Sequence, residues 1–536
     1  MLYTLAYTYR NLIMSLVGGL LLFAAWPLSA FTFLIFIAWI PLLWLELVTS
    51  SKRLFLTYTY ITMLVWNVCT TWWVWNASAP GALAAFIANS MLMCIPWLGY
   101  SIIKRRLGSN LGFCALVSFW MCFESIHLMD WGLSWPWLTL GNVFSTNPSW
   151  IQWYEYTGTS GGTMWVLLIN IFIYKWLFLK VGKSRSSKDN YWAILFLIAP
   201  IIFSWTLQVH KRIPNNRENI VVVQPNIDPY EKVSGATGSF EAQLHKLIQT
   251  TEKAIDSNTR LVLWPETALF MQNGINETEL KPNQNFLFNP LWSFLRKYPK
   301  AILFTGIESF NWLSAPTPFT KKYNDQFYEA YNAAAILDSS GSLSFYHKSM
   351  LVPGVETLPW FLKFLDNWFE KFGGTTAGYA RQTERKVLIA GGYKLAPSIC
   401  YESIYGDFMR QYIKKGADFI CIITNDGWWK NTPGHQQHMN YARLRAIENR
   451  TWVARSANTG ISCFINPYGE IIELQAYNTT GAIKHAIPSR NFRKTFFSQY
   501  GDVLSKIMMI LSMLIVAYII VEKAKNFIRK RRVKAC

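Results

Sequence analysis

Three residue types that together can carry out acyl chemistry each come directly after a short β-type stretch. Glu266 follows LVLWP, Lys348 follows SFYH and Cys400 follows KLAPSI. A cysteine nucleophile needs a base to take its proton, and a cation or N–H group to stabilise the oxyanion. Glutamate and lysine supply both roles without histidine, and a lysine at close range also favours the thiolate. The pattern predicts a catalytic group of Glu266, Lys348 and Cys400.

The remaining cysteines and histidines suggest packing rather than metal binding. Cys421 and Cys463 lie inside apolar strand-like runs, where a free cysteine behaves as a small hydrophobic residue. His435 and His438 are one helical turn apart, but the sequence around them offers no Asp, Glu or Cys at ligand spacing. We therefore expect no metal and no cofactor.

The elements that must position this group are short strands that alternate with amphipathic helices. Strands are predicted at 219–227, 260–269, 301–309, 331–338, 343–350, 394–403 and 417–426, and two more within 451–472 around a Pro-Tyr-Gly turn. Helices are predicted at 239–255, 407–415 and 435–450. This alternation predicts a layered α/β domain over residues 209–500.

The remainder of the chain has the composition of a membrane protein. The chain is 51% hydrophobic and only 15% charged, whereas soluble domains carry about 25% charged residues. A helix needs about 20 apolar residues to cross the hydrocarbon core. Spans are predicted at 11–27, 31–49, 55–75, 82–103, 108–128, 163–181, 191–208 and 502–521. They give a membrane domain with about seven helices over residues 1–208 and a final helix at 501–521.

The net charge of +20 indicates orientation rather than nucleic-acid binding. Residues 1–208 contribute 11 basic and 5 acidic side chains, and residues 522–536 contribute 7 basic and 1 acidic. The basic clusters fall on one side if the spans alternate, and loops 76–81 and 129–162 on the other side contain no Lys or Arg. The positive-inside rule then places both termini and the basic tail 522–536 in the cytoplasm. The α/β domain is then expected on the opposite, extracytoplasmic side.

Loop 129–162 is rich in Trp, Tyr, Gly and Pro and is too polar to span. Two interpretations remain open. It forms an aromatic belt at the membrane interface, or it forms a lipid-facing floor beneath the α/β domain. Glu124 and His127, at the outer end of the fifth span, adjoin this loop and are candidates for a functional role.

The sequences around the catalytic group resemble the nitrilase, or carbon–nitrogen hydrolase, superfamily, whose catalytic group is Glu, Lys and Cys. The similar stretches are Gln224-Pro225-Asn226, Trp264-Pro265-Glu266, Tyr331-Asn332, Lys348, Cys400-Tyr401-Glu402 and Thr424-Asn425-Asp426-Gly427-Trp428-Trp429. The resemblance implies an α-β-β-α sandwich. The predicted fold class is therefore a multi-span α-helical membrane domain plus an extracytoplasmic α/β nitrilase-like α-β-β-α sandwich.

Such a domain between the seventh and eighth spans is similar, over essentially the whole chain, to the apolipoprotein N-acyltransferase family. The family signatures resembled are Ser134-Trp135-Pro136-Trp137-Leu138 with Gly141-Asn142, and Lys348-Ser349-Met350-Leu351-Val352-Pro353 followed by Glu356. The family commonly has Phe-Gly-Glu-Tyr-Val-Pro where this chain has Gly354-Val355-Glu356-Thr357-Leu358-Pro359. The glutamate keeps its spacing from Lys348, and its neighbours differ.

The resemblance implies transfer of an acyl chain from a glycerophospholipid, expected to be phosphatidylethanolamine, through a Cys400 thioester. The acceptor is the α-amino group of the diacylglyceryl-Cys that begins an apolipoprotein, and this transfer is the last step of bacterial lipoprotein maturation. Glu266 would move the protons and Lys348 would stabilise the oxyanion. The expected supporting residues are Glu356, Glu402, Tyr401 and Asn332, and the expected substrate-lining residues are Trp428, Trp429, Trp135 and Trp137.

Two other functions remain open. A membrane-tethered nitrilase-type amidase would use the same three residues with water as acceptor, but one anchor would suffice for it. A non-enzymatic transporter or receptor would bind ligand with its outer domain. It predicts charged residues at a midplane cavity and repeated halves. Glu46, Glu124 and Lys175 are candidates for such charges, although the sequence contains no repeat.

Overall fold

The computed structural model describes residues 2–179, 187–209, 218–234, 238–357, 364, 378–488 and 494–535. The first part of the chain is helical. Its helices are α1 (Leu2–Ala25), α2 (Ile40–Val48), α3 (Lys52–Thr71), α4 (Val74–Ala77), α5 (Ala79–Leu107), α6 (Ser109–His127), α7 (Tyr154–Thr157), α8 (Thr159–Phe178) and α9 (Ser187–Val209). The last helix of the chain, Val503–Ala535, returns to pack against α6.

Within the described residues, six helices are long and apolar enough to cross a membrane. They are Tyr7–Ala25, Ala79–Leu107, Ser109–His127, Thr159–Phe178, Tyr191–Val209 and Val503–Ile528. They coincide with six of the eight predicted spans. The predicted tail 522–536 is not a separate segment in the described residues, because the last helix continues through it to Ala535.

The other two predicted spans have a different form. Span 31–49 is a 3₁₀ segment, Thr32–Phe36, followed by the short α2, and Pro41 in the first turn of α2 has no N–H with which to continue a helix. Span 55–75 is α3, which turns polar side chains inward. The hydroxyl of Thr62 donates to the Ser15 carbonyl of α1, at 2.9 Å. The eight-span arrangement stays a prediction, and Lys183 and Arg185, which belong to the basic cluster between the sixth and seventh predicted spans, lie outside the described residues.

Residues 129–162 lie between the membrane helices and the α/β domain, and most of them are buried. They contain the 3₁₀ segments Pro136–Leu138, Leu140–Thr146 and Pro148–Trp150, followed by α7. Trp137, Leu140 and Phe144 have no exposed surface. The position of the segment agrees with the floor interpretation, these three buried side chains pack against protein, and contact of the floor with lipid stays a prediction.

Glu124 of α6 fixes this floor to the helices. Its carboxylate accepts hydrogen bonds from Trp120 Nε1 (2.8 Å), the backbone N–H of Leu140 (2.8 Å) and the hydroxyl of Thr163 (2.6 Å). A buried carboxylate is tolerated when it accepts several hydrogen bonds in this way. Next to it Gly141 allows close packing, because a Cβ there would lie 2.0 Å from the Thr159 carbonyl oxygen.

The α/β domain contains two sheets within the described residues. Its strands are β1 (Glu218–Gln224), β2 (Thr259–Leu263), β3 (Ile275–Asn276), β4 (Ile302–Leu313), β5 (Lys321–Tyr323), β6 (Gln326–Leu337), β7 (Leu343–His347), β8 (Leu388–Ala390), β9 (Tyr393–Ile399), β10 (Phe419–Thr424), β11 (Val453–Ala457), β12 (Ser462–Ile465), β13 (Ile471–Gln475) and β14 (Gly481–Ile487). The first sheet has the order β14-β1-β2-β4-β6-β5, with β3 on β4 and β7 on β6, and the second has the order β13-β12-β11-β10-β9-β8.

The centre of each sheet is parallel. Strands β1, β2 and β4 run parallel in the first sheet, and β9, β10 and β11 in the second. The later helices of the chain are α10 (Pro229–Ser234), α11 (Phe240–Glu252), α12 (Asn289–Lys297), α13 (Gly406–Lys414), α14 (Pro433–Asn449), α15 (Phe496–Tyr500) and α16 (Val503–Ala535).

The side chains of β1 alternate between the two faces of the first sheet, and their partners give the order of the layers. Val221 and Val223 belong to the apolar cluster that contains residues of α11 and α12. Ile220 and Val222 point to the opposite face, because successive strand side chains alternate, and belong to the cluster that contains β9 and β10. Helices α13 and α14 contact the outer face of the second sheet. These four layers confirm the predicted α-β-β-α sandwich.

One predicted segment differs in detail. Residues 451–472 hold β11, β12 and the start of β13, where two strands were predicted. Asn458 turns the chain away from the strand direction after β11. Its side-chain amide donates to the Ile227 carbonyl at 2.7 Å, and its backbone N–H donates to the Thr424 carbonyl at 2.9 Å. The predicted turn at Pro467-Tyr468-Gly469 is correct and joins β12 to β13.

Buried polar contacts join the two parts of the chain. Arg450, at the end of α14, forms an ion pair with Glu155 of α7 and donates from Nη2 to the Gln152 carbonyl at 2.9 Å. The hydroxyl of Tyr441 donates to the Trp137 carbonyl (3.0 Å) and accepts from Trp26 Nε1 (3.1 Å). The α/β domain is therefore packed on the helices, and it is not a module on a flexible anchor.

We expect Arg450→Met to destabilise this junction, because methionine keeps the apolar stem and leaves the Glu155 carboxylate without its partner. Loss of one partner of a buried ion pair costs about 3–5 kcal/mol. The test is thermal unfolding of the detergent-purified protein, with each variant scanned at one fixed rate.

Lys484→Met is the matched control, since the Lys484–Asp256 pair is more than one third exposed on both sides and such pairs contribute about 1 kcal/mol or less. A melting curve of Arg450→Met that coincides with the control would contradict the interface described above.

Candidate active site

Glu266 lies in a tight turn after β2, and β4 passes directly beneath it. Gly306 of β4 makes this possible, because a Cβ there would lie 2.4 Å from the Pro265 carbonyl oxygen and 2.6 Å from the Glu266 Cα. Thr267, the next residue, has a positive φ of 50°, which is unusual for a β-branched residue. The turn points the Glu266 carboxylate into the gap between the two sheets, where it is buried.

Lys348 follows β7 and meets that carboxylate. Its backbone N–H donates to the Asn332 carbonyl of β6 at 2.9 Å. The ammonium lies 2.8 Å from Glu356 Oε1 and 3.3 Å from Glu266 Oε1, and Lys348 is only 1% exposed. Burial lowers the pKa of this group, but the charges of Glu356 and then Glu266 outweigh it and raise the pKa above its ordinary value. Lys348 is thus held as an ammonium.

Asn332 ties the two carboxylates together. Its side-chain amide nitrogen donates to Glu266 Oε1 (2.8 Å) and to Glu356 Oε1 (2.9 Å). The second oxygen of Glu356 accepts from the backbone N–H of Val352 at 2.8 Å. Glu356 therefore orients Lys348 despite its unusual neighbours in sequence; of those neighbours, Leu358 and Pro359 lie outside the described residues.

Cys400 begins a 3₁₀ segment, Cys400–Ile404, directly after β9. Its φ of +52° lies in the left-handed region, which a cysteine rarely adopts. Burial and then the charge of Glu266 raise the pKa of the thiol, and Lys348 offsets part of that rise. The raised pKa favours the protonated thiol, so attack by Cys400 would require a base to remove its proton.

Glu402 fixes the turn that carries Cys400 against the turn that carries Lys348. One oxygen accepts from the Tyr346 hydroxyl (2.7 Å) and from the backbone N–H groups of Ser349 (2.6 Å) and Met350 (3.1 Å). The other accepts from the backbone N–H of Ile399 at 2.7 Å. Glu402 is fully buried, so these hydrogen bonds hold the two turns together away from water.

Tyr401 links the nucleophile's turn to the floor. Its hydroxyl donates to the Ser134 carbonyl at 3.0 Å, and its ring stacks on Trp135 with centroids 6.3 Å apart. Trp135 in turn stacks on Trp137 at 5.7 Å. The active site therefore touches the part of the chain that follows the membrane helix α6.

The four predicted lining tryptophans have different surroundings. Trp135, Trp428 and Trp429 are half-buried, and the Trp429 ring contacts Trp73 of the membrane part at 4.7 Å. Trp137 is fully buried and donates from Nε1 to Gln437 at 2.8 Å. Trp137 therefore supports the neighbouring rings and does not face an open surface.

The structure adds a buried network that the sequence did not predict. Asp426 follows β10, and its Oδ1 lies 2.9 Å from Nδ1 of His438, while Arg455 Nη2 donates to its Oδ2 at 2.6 Å. Burial raises the pKa of this carboxyl, but Arg455 and then His438 outweigh it and hold the pKa below its usual range. Its position after a strand, as for Glu266 and Cys400, was the available signal in sequence.

Cys400, Asp426 and His438 also have the mutual distances of a metal site, with ligand atoms within 4.8 Å of one another. The donors are already used in another way. The Arg455 guanidinium neutralises Asp426, and His438 Nε2 lies 3.1 Å from the Cys400 carbonyl. The group therefore fits a hydrogen-bond network around the nucleophile better than a cation site.

Comparison with known proteins agrees with both parts of the chain. The carbon-nitrogen hydrolase family model matches residues 220–495, and the model of the apolipoprotein N-acyltransferase N-terminal domain matches residues 18–172. An apolipoprotein N-acyltransferase of Rickettsia prowazekii is 33% identical over 409 residues, which cover 74% of each chain. This chain belongs to the apolipoprotein N-acyltransferase family. That of Rickettsia typhi is 31% identical over 450 residues, covering 82% of this chain and 81% of that protein.

A more distant relative covers nearly the whole length. The apolipoprotein N-acyltransferase of Chlorobaculum tepidum is 27% identical over 510 residues, which are 91% of this chain and 92% of that protein. The family assignment confirms the resemblance drawn from the motifs around Glu266, Lys348 and Cys400, and the one drawn from the floor residues 134–142.

We expect Glu402→Gln to loosen the turn that carries Cys400. Both carboxylate oxygens accept from N–H or O–H donors, so an amide NH₂ group in either orientation faces at least one donor. An unsatisfied buried donor costs about 1–3 kcal/mol. The measurement is the thermal unfolding midpoint, together with proteolysis near residue 400.

Glu473→Gln, at an exposed carboxylate on β13, is the control and should behave as wild type. Equal stability of the Glu402 and Glu473 variants would show that Glu402 does not support the turn.

Proposed function

We propose that this chain transfers an acyl chain from a glycerophospholipid, through a thioester on Cys400, to the α-amino group of the diacylglyceryl-Cys of apolipoproteins. The observation that carries the proposal is the contact between the nucleophile's turn and the floor, through Tyr401 and Ser134. An enzyme that acts on a small amide in water has no need to build its nucleophile onto membrane helices. The family membership points to the same reaction.

In the first half of the reaction Glu266 takes the thiol proton while Cys400 Sγ attacks the ester carbonyl carbon. The Lys348 ammonium and a backbone N–H beside Cys400 stabilise the tetrahedral oxyanion. The carbon–oxygen bond then breaks, and Glu266 gives its proton to the departing alkoxide, which leaves as a lysophospholipid. The acyl group remains on Sγ as a thioester.

In the second half the free amine of the lipoprotein attacks the thioester carbonyl. Glu266 takes a proton from the amine, Lys348 again stabilises the oxyanion, and the carbon–sulfur bond breaks. The proton returns to the sulfur, which regenerates the neutral thiol favoured by the site. Asn332 and Glu356 keep Lys348 in place throughout both halves.

A lipid substrate is supported by the surface beside the site. An apolar groove of about 700 Å³ lies between α5, α6 and α16, and its lining includes His127 and Trp131 at the end of α6. His127 Nδ1 accepts the backbone N–H of Trp135 at 3.1 Å, and Trp135 stacks on Tyr401. Lipid can thus approach along apolar surface to the loop that contacts the nucleophile's turn. We propose Trp135, Trp428 and Trp429 as lining residues and phosphatidylethanolamine as the donor.

The proposed orientation follows from the two ends of α5. Asn76, just before α5, donates to the Trp429 carbonyl of the α/β domain at 3.2 Å. Lys104, Arg105 and Arg106 lie in the last turn of this 29-residue helix, about 40 Å away at 1.5 Å per residue. Basic residues favour the cytoplasmic side. This supports a catalytic domain on the periplasmic face of the inner membrane.

The proposed domain boundaries follow from the same topology. Residues 1–208 are the membrane domain, 209–500 the catalytic domain, 501–521 a final span and 522–536 a cytoplasmic tail. Eight crossings in all then leave both termini in the cytoplasm.

The proposal predicts a covalent intermediate. Purified protein mixed with phosphatidylethanolamine of one defined acyl composition should gain the mass of a single acyl group, mapped to Cys400. Addition of a diacylglyceryl-cysteinyl peptide should move that mass to the peptide amine. Cys400→Ala should gain nothing, whereas Cys114→Ala, at an exposed cysteine on α6, should behave as wild type.

The outcomes separate the alternatives. A wild-type protein that never acquires the adduct contradicts the transferase. An adduct that is lost only to water while the acceptor peptide stays unmodified supports a hydrolase instead.

A further inference from the structure

The backbone at Cys400 is strained and has to be held by its surroundings. Its φ of +52° lies in the left-handed region, where the Cβ of a non-glycine residue crowds the following carbonyl oxygen. Such residues persist where neighbouring groups fix them, and they concentrate at functional sites. The groups that fix Cys400 are therefore part of its function.

Two buried side chains reach the carbonyl oxygen of Cys400. The hydroxyl of Ser403 donates to it at 2.9 Å, and Nε2 of His438 lies 3.1 Å from it. A carbonyl oxygen can only accept, so this contact is a hydrogen bond when Nε2 carries the N–H, and the same nitrogen also lies 3.0 Å from Ser403 Oγ. The carbonyl of the nucleophile therefore points towards α14.

His438 is itself held in one orientation. It is fully buried, and its Nδ1 lies 2.9 Å from Asp426 Oδ1. Asp426 is fixed in turn by Arg455 Nη2 at 2.6 Å and by the Thr424 hydroxyl at 2.9 Å. The imidazole is thus held by Asp426, just after β10, and Asp426 is held by Arg455 of β11; β10 is the strand next to β9, which ends directly before Cys400.

The direction of this carbonyl sets the direction of the next N–H. A peptide unit is planar and trans, so the Tyr401 N–H points away from the Cys400 carbonyl. Tyr401 is the second residue of the 3₁₀ segment, where a backbone N–H has no partner within the helix. An acyl group on Cys400 Sγ is attached one residue before this N–H, which places a tetrahedral oxyanion within its reach.

We propose that His438 is a positioning residue that fixes the Cys400–Tyr401 peptide plane, so that the Tyr401 N–H acts with Lys348 on the oxyanion. The proposal rests on the acyl-transfer function proposed above. It adds that Asp426 and His438 act on the backbone carbonyl of Cys400. His438 itself exchanges no proton with the substrate.

The test compares two reactions of Cys400 in the full-length protein. Thioester formation from phosphatidylethanolamine passes through an oxyanion, whereas alkylation by iodoacetamide displaces iodide in one step and forms none. His438→Leu removes the N–H and should lower the saturating rate of thioester formation by about 30- to 100-fold, since loss of one oxyanion donor costs about 10²–10³ in rate. The half-saturating lipid concentration should change less than twofold, and alkylation of the Cys400 peptide less than threefold.

Two further variants give a rescue and a control. The side-chain amide of His438→Gln can still donate an N–H to the Cys400 carbonyl. Its rate of thioester formation should therefore lie within about fivefold of the wild-type rate. His435→Gln, one turn earlier on α14 with its ring on Tyr477, should match wild type in both reactions. Ser403→Ala removes only the second donor to the Cys400 carbonyl and should lower the rate of thioester formation about three- to tenfold. This variant tests the proposal even if His438→Leu does not fold.

The results separate this proposal from the function on which it rests. Wild-type protein that forms no thioester contradicts the function. Wild-type thioester formation that stays unchanged in His438→Leu and Ser403→Ala overturns the role of His438. Equal losses of acylation and alkylation also overturn it, because they indicate a general collapse of the turn.

Discussion

The proposed active site depends on the ammonium group of Lys348, which is buried between the carboxylates of Glu266 and Glu356. An ammonium removed from water costs several kcal/mol unless it is paired. Without this ammonium the two carboxylates would repel one another. The side-chain amide of Asn332 also donates a hydrogen bond to each of them. The turn after β2, the end of β7 and the loop at Val352 must therefore meet at one point, and the nucleophile's turn closes on them through Glu402.

The membrane part takes part in the same construction. The floor formed by residues 129–162 is anchored below by Glu124 and contacts the nucleophile's turn above through Ser134 and Tyr401. Its buried Trp137 packs against α14, the helix that carries His438. The proposed reaction site for lipid substrates therefore lies where the two parts of the chain contact each other.

Glu266, Lys348 and Cys400 could be singled out from sequence because each lies at or just after the end of a strand and because their flanking residues resemble a known catalytic group, whereas only the packing of the two sheets brings Cys400, after β9 of the second sheet, to Glu266 and Lys348 of the first. The layer order followed from the alternation of strands and helices. Asp426, His438 and Arg455 could not be paired, because only the adjacency of β10 and β11 and the packing of α14 bring them together. The predicted span 31–49 is instead a 3₁₀ segment followed by a short helix, and Trp137 is buried. Both features depend on tertiary packing, which a hydropathy pattern does not report.

The most direct test of the central claim is the rate constant of thioester formation on Cys400 in Lys348→Met, measured at saturating phospholipid. Methionine keeps the length of the side chain and removes the charge, so the oxyanion loses its cation, and Glu266 and Glu356 are left to repel one another. We predict a loss of at least about 10³-fold, while Lys322→Met, at an exposed lysine, stays at the wild-type rate. A Lys348→Met rate within tenfold of wild type would contradict the account.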